Sequence, residues 1–295
     1  MNLVKKEQLP YVMATLGHVI WGLSYLFTKV GLQYAETNVL LSVRFLLAFG
    51  LMNLLILIGK EHIRLRGKPW KPLALLAVAE PLYFFFETYG ILYTNATFAG
   101  VVLAIVPVVS MGLAIPLLRE YPTRRQALCS LLPVAGVVLM TIAGEAMGVI
   151  QPVGVVLLLC CCLTSALYRI ANRKSSEAFT PFERTYMVLG ASAVVFTARA
   201  LISSGAAGYK AAFAEGGFWF AVIMLSVFCS VAANMVVNFA AGRMEVVKLS
   251  MFGALTTVCS MAAGVLILGE PMNAMSFAGA ALVIFGIWQV TKSHT

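Results

Sequence analysis

From position 39 to position 58 the chain is apolar apart from Ser42, Arg44 and Asn53. At about 1.5 Å of rise per residue, such a run matches the roughly 30 Å hydrocarbon core of a bilayer. Comparable runs recur to the end of the chain, so lipid has to be considered as the solvent. Composition supports this: 61% of residues are apolar and 11% are charged, against about 25% charged in a soluble domain. So little polar material cannot cover a soluble globule. Backbone polar groups in lipid must be satisfied within the segment, and long apolar runs can do this only as helices. The expectation is an all-α membrane protein.

Breaks at Gly, Pro and charge clusters place spans at about 11–32, 38–59, 72–93, 96–117, 125–142, 152–172, 180–202, 217–240, 247–268 and 274–291. If the N-terminus is cytoplasmic, the inner side of this ten-helix arrangement collects Lys5, Lys6, the cluster Lys60, Arg64, Arg66, Lys68 and Lys71, then Arg119, Arg124, Arg125, Arg169, Arg173, Lys174, Arg184, Arg243, Lys248 and Lys292. Lys29, Arg44, Arg199 and Lys210 are left outside. This bias is the positive-inside pattern, and it places both termini in the cytoplasm of a multi-pass protein of the cell membrane. The net charge of +9 therefore sets topology, and no nucleic-acid partner is expected. The basic pair before the first span lacks a cleavage site and reads as the start of a retained helix.

A shift of 150 residues pairs Ala104 with Ala254, Ser110 with Ser260, Met111 with Met261, Glu120 with Glu270, Gly136 with Gly286 and Thr141 with Thr291. One ungapped register over this stretch argues for a duplication of about 1–145 and 146–295. With five helices per half, an odd number, the second copy must be inverted in the membrane. The loops agree, since Arg119-Glu120-Tyr121-Pro122-Thr123-Arg124-Arg125 is basic whereas Gly269-Glu270-Pro271-Met272-Asn273-Ala274-Met275 is not. Inverted repeats are a signature of secondary transporters that work by alternating access.

Three stretches then carry a resemblance across the whole chain. They are Trp21-Gly22-Leu23-Ser24 in the first helix, Arg44-Phe45-Leu46-Leu47-Ala48 in the second, and Leu268-Gly269-Glu270-Pro271 closing the ninth. Together they resemble the EamA-type branch of the drug/metabolite transporter superfamily. The resemblance implies a ten-helix carrier with a central cavity that moves amino acids, amines, nucleoside-like molecules or other small metabolites, and it makes a structural role the expectation for Arg44.

Polar side chains at membrane depth are costly, so each needs a reason. In the third helix Glu80 and Glu87 share one face about 10.5 Å apart along the axis, with Tyr83 and Phe84 between them, and Pro81 interrupts the hydrogen-bond ladder. This points to a binding site; the plainer alternative is a carboxylate satisfied by a neighbouring helix. His18, Trp21, Tyr25 and Thr28 form a polar and aromatic stripe in the first helix, where His18 is either a proton relay or a packing residue. Ser226, Ser230, Asn234 and Asn238 step by four along the eighth helix, as a hydrophilic wall or as interhelical hydrogen bonds. Tyr168 occupies the place in the sixth helix symmetric to the first-helix stripe, and Arg169 reads as an interfacial anchor.

The expected substrate site is therefore Trp21, Tyr25, Glu80, Tyr83, Glu87, Tyr168, Asn234 and Asn238, on the first, third, sixth and eighth helices. Proton coupling falls to Glu80, Glu87 and His18. All twelve acidic residues are glutamate, which excludes sites built on aspartate. His18, His62 and His294 have no metal-ligand spacing, and the six cysteines read as small hydrophobes. No nucleophile elbow or glycine-rich phosphate loop is present. No metal, cofactor or enzymatic activity is expected. The expected function is secondary active transport of a small polar or cationic metabolite, such as an amine or amino acid, by a monomer or homodimer in the bilayer. An amino-acid exporter and a lipid-moving or signalling protein are the alternatives.

Overall fold

The computed structural model describes residues 7–94, 102–103, 105–144, 151–268 and 274–291, and all regular structure among them is helical. In chain order the long helices are α1 (Leu9–Gly31), α2 (Thr37–Leu57), α3 (Trp70–Tyr93), α4 (Val106–Leu118), α5 (Arg124–Gly144), α6 (Pro152–Ser175) and α7 (Pro181–Ser203). A short helix, Gly205–Phe213, leads into α8 (Gly216–Ala241), α9 (Val246–Leu268) and α10 (Ala274–Thr291). Five of these segments, Thr37–Leu57, Pro152–Ser175, Pro181–Ser203, Gly216–Ala241 and Val246–Ile267, are long and apolar enough to cross a membrane, and Val106–Leu118 and Phe277–Gln289 are shorter apolar helices. The Lys5–Lys6 pair, the Asn95-Ala96-Thr97 connection and the Gly269-Glu270-Pro271 turn lie outside the described residues.

Helix α3 runs on through Pro81, as the span expected at 72–93 does, and packs along much of α6. One detail differs from the sequence reading. In α8, Leu225–Ala232 is π-helical, which changes the face on which the later residues of the four-step polar stripe emerge.

The pairing of helices repeats between the halves. Helix α3 packs on α6 as α8 packs on α1, and α4 packs on α6 as α9 packs on α1, while α2 meets α7, α5 meets α10 and α4 meets α9. Along the α2–α7 contact, Asn38 reaches Ser203, Ser42 reaches Thr197 and Asn53 reaches Tyr186. Residue numbers rise on one helix as they fall on the other, so the two run antiparallel. The α5–α10 contact is antiparallel and also reciprocal. A Cβ on Gly136 would stand 2.5 Å from the Gly279 carbonyl oxygen and 2.8 Å from Val283 Cγ2, and one on Gly286 would stand 2.7 Å from Pro133 Cδ. Since 136 and 286, like 133 and 283, differ by 150, residue i meets the partner of j and the partner of i meets j, as across a two-fold axis. Gly136→Ala and Gly286→Ala are therefore each expected to force the helices apart, at about 1–3 kcal/mol. Thermal unfolding of the purified variants should give two similar losses; a neutral result at either position would remove it from the contact.

Polar ties fasten the helix ends. Glu120, just beyond α4, accepts from the Val246 N–H at the first residue of α9 at 2.9 Å, where an anion is favoured by the helix dipole. Arg173 pairs with the same carboxylate at 3.2 Å and donates to the Gly242 carbonyl at 3.0 Å. At this end too, Glu183 accepts from Lys68 Nζ at 2.8 Å and caps its own helix together with Thr180. At the opposite end Arg199 donates to Tyr89 Oη at 2.6 Å, and Tyr209 of the short helix meets Ser42 at 2.7 Å.

Candidate functional site: a charged central cavity

A cavity of about 320 Å³ lies between the two sets of helices. Helix α1 contributes His18, Trp21 and Ser24, α2 contributes Arg44 and Phe45, and α3 contributes Glu80, Tyr83, Phe84 and Glu87. Ser165, Tyr168, Arg169 and Asn172 face it from α6, Asn234 and Val237 from α8, and a strip from Leu249 to Thr257 from α9. Smaller contributions come from α4, α5 and the residues just before α4. The helical periodicity explains how α3 supplies so much. Glu80, Tyr83, Phe84 and Glu87 follow one another by three, one and three residues, and so fall on one face.

The hydrogen bonds separate lining groups that are already satisfied from those that are not. Tyr83 Oη donates to Glu87 Oε1 at 2.6 Å, and Trp21 Nε1 donates to the Cys229 carbonyl at 3.0 Å. Arg44 Nε donates to Ser230 Oγ at 2.8 Å, while Ser226 Oγ donates to the Arg44 carbonyl at 2.9 Å. No hydrogen bond or ion pair among the described residues holds the Glu80 carboxylate. His18 is 1% exposed; its Nδ1 donates to the Ala14 carbonyl at 2.7 Å, which leaves Nε2 as a buried acceptor without a donor. Asn234, at 3% exposure, gives its Nδ2 to the Ser230 carbonyl and keeps Oδ1 unpartnered. Tyr168 Oη and Arg169 Nε are likewise buried and unpartnered. Buried polar atoms are satisfied in the great majority of cases. Four orphans on residues lining one cavity form a set of contacts that a ligand can complete.

Of the residues expected from sequence to form the substrate site, Trp21, Glu80, Tyr83, Glu87, Tyr168 and Asn234 come together around this space, and His18, expected only in proton coupling, joins them. The side chain of Tyr25 lies outside the described residues. Asn238 lies elsewhere. It accepts from Asn172 Nδ2 at 2.7 Å, donates to Thr185 Oγ1 at 2.8 Å, and its backbone carbonyl accepts from Arg184 at 2.6 Å. These bonds knit α6, α7 and α8 together beneath the cavity. Both follow the π-helical turn and share one face of the α-helical end of α8, so depth separates them: Asn238, one turn further along, meets α6 and α7.

One cation was misread: Arg169 is no interfacial anchor but a lining residue. Arg44, expected to be structural, braces α8 through Ser230 and also lines the cavity. For Arg169 the signal was the adjacent Tyr168, already a candidate: on a helix running toward a basic end, a positive-inside count absorbs any arginine in the last two turns, whichever way it points. The α9 strip was not foreseen, because its small residues carry no polar periodicity. Gly253 makes the approach possible, since a Cβ there would lie 3.1 Å from an Arg169 guanidinium nitrogen.

Comparison with known proteins agrees with this architecture. The EamA-like transporter family matches the chain twice, over residues 8–142 and 152–292. The chain is 35% identical over 292 residues to the uncharacterized transporter YcxC of Bacillus subtilis (strain 168), covering 97% of this chain and 94% of that one. It is 23% identical over 287 residues to an uncharacterized transporter of Archaeoglobus fulgidus, with 96% and 99% covered. A protein of known crystal structure superposes with a TM-score of 0.81 over 96% of both chains at 17% identity, which is a likeness of fold. With two successive family matches spanning nearly its whole length, the chain belongs to the EamA-like transporter family and is a membrane-embedded transporter.

Proposed function

We propose that this protein is a secondary active transporter that carries a small polar metabolite bearing a positive charge across the cell membrane by alternating access. Its ten helices form two inverted five-helix repeats, and both termini are cytoplasmic. The observation that carries the reading is the cavity itself, lined from both halves, with an unheld carboxylate at Glu80 and a ring of unpartnered buried polar atoms. Ammonium groups are held by negative charge and by aromatic faces, and Glu80 has Tyr83, Phe84 and Trp21 around the same space. The inversion is supported by the antiparallel α2–α7 and α5–α10 contacts: an axis that relates two antiparallel helices to one another runs across them, hence in the plane of the membrane. Rocking about such an axis exposes the same site to each side in turn. Glu80 is the coupling group in this reading, with Glu87 and His18 assisting.

Reconstitution tests the proposal. Proteoliposomes should accumulate a soluble amine or amino acid against an imposed gradient, and cysteines placed at the exposed positions Arg66 and Glu215 should label from opposite faces. Movement of fluorescent lipid without any soluble flux would support the lipid-moving alternative instead.

A further inference from the structure

Building on the carrier reading, we infer that the cavity takes a zwitterion, with Arg169 as the anchor for the substrate's carboxylate. The cavity is lined by two carboxylates, Glu80 and Glu87, and two guanidinium groups, Arg44 and Arg169. Arg44 is braced by Ser230 and lies within electrostatic range of Glu80. Arg169 is different. Among the described residues it makes no ion pair, and its Nε is buried without an acceptor. Its electrostatic neighbours are Tyr83, Tyr168 and His18, not a carboxylate.

An arginine at membrane depth without an anion is costly, and its planar fork is matched to a carboxylate by two parallel hydrogen bonds. The remaining orphans ask for the opposite chemistry. His18 Nε2 and Asn234 Oδ1 are acceptors on side chains more than nine-tenths buried, and Glu80 is an unheld anion. An ammonium supplies three donors and no acceptor. A molecule with a carboxylate at one pole and an ammonium at the other completes both sets at once, whereas a plain amine leaves Arg169 uncompensated and a plain acid leaves Glu80 so.

The test uses purified full-length protein in detergent. Thermal stabilisation is titrated with each of the twenty protein amino acids, and for leucine, phenylalanine and methionine also with the decarboxylated amine and the deaminated carboxylate of the same skeleton. The expected result is that at least one amino acid binds ten-fold or more tightly than either single-pole analogue. Arg169→Gln should then erase that advantage by weakening the amino acid ten-fold or more without weakening the amine, while Arg169→Lys keeps part of it, which also shows that the fold survives. Amines that bind as well as every amino acid, or an Arg169→Gln protein that keeps its preference for the zwitterion, would overturn the inference and leave the carrier reading standing. Absence of binding and flux for all three classes would take down the carrier reading as well.

Discussion

Glu80→Gln is expected to abolish transport driven by a pH gradient while leaving the protein folded and inserted. What the Glu80 carboxylate lacks decides this. It lines the cavity with no hydrogen bond or ion pair among the described residues, so in the substrate-free protein its charge is answered only at longer range by Arg44. A proton or a substrate cation can close that deficit, and the two exclude each other. Competition at one carboxylate, combined with alternating exposure, is sufficient for proton-coupled exchange. The glutamine keeps the shape but neither binds a proton nor attracts a cation. Losing a charge-assisted hydrogen bond of about 1.5–3 kcal/mol weakens amine binding by about 10- to 100-fold, and gradient-driven uptake should fall to the level of empty vesicles. Glu87 already accepts from Tyr83, so Glu87→Gln should cost less. Arg44, Glu87 and Tyr168 lie within electrostatic range of the Glu80 carboxylate, and Arg44 and Tyr168 stay unchanged in both variants. Wild-type binding that is flat between about pH 5.5 and 8.5, together with full uptake by Glu80→Gln, would leave that residue a structural role.

Arg184 carries the largest expected effect on stability. It is 1% exposed and among the largest fully buried side chains of the protein. Among the described residues it has no carboxylate partner; instead it donates to the Asn172 carbonyl at 3.1 Å, the Asn172 side-chain oxygen and the Asn238 carbonyl at 2.6 Å. Both carbonyls belong to last turns, of α6 and of α8, where backbone acceptors outnumber donors and the helix dipole favours a cation. One guanidinium thus caps two helices that line the cavity. Arg184→Ala removes these bonds and leaves a hole, for an expected loss of about 3–5 kcal/mol, or a drop in Tm of roughly 6–20 °C at 2–4 °C per kcal/mol. Burying a cation has its own desolvation cost, and Arg184→Met separates the two effects because it keeps most of the volume. We expect Met to fall between alanine and wild type. A methionine variant as stable as the wild type would mean that the bonds do no more than offset desolvation.

The sequence disclosed helices by length and apolarity, since those properties are local. It also disclosed a register between the halves, because Gly136 and Gly286 sit where two helices touch and any Cβ would collide. Glu80, Tyr83 and Glu87 were legible as a lining face because α3 is regular from Trp70 to Tyr93 despite Pro81. Asn238 was not, since its partners Asn172, Arg184 and Thr185 come from two other helices and only the tertiary arrangement shows them to be neighbours. Arg169 was hidden by the same positive-inside rule that oriented the chain, a rule that counts charges and says nothing about which way they face. The short helix Gly205–Phe213 was invisible for want of a long apolar run.

The π-helical turn from Leu225 to Ala232 makes α8 a spliced object. Upstream of it the helix presents Phe218 and Val222 to a buried apolar cluster; downstream it presents Asn234 to the cavity. A residue inserted into or deleted from a regular helix rotates everything beyond it by about 100°, and a wide turn is where such an extra residue can be stored without breaking the rod. Length changes elsewhere in α8 would swing Asn234 away from the substrate, but a deletion confined to this turn would mainly tighten it. The turn is thus the part of α8 that can lose a residue while Asn234 stays aimed at the cavity and the packing half stays as it is.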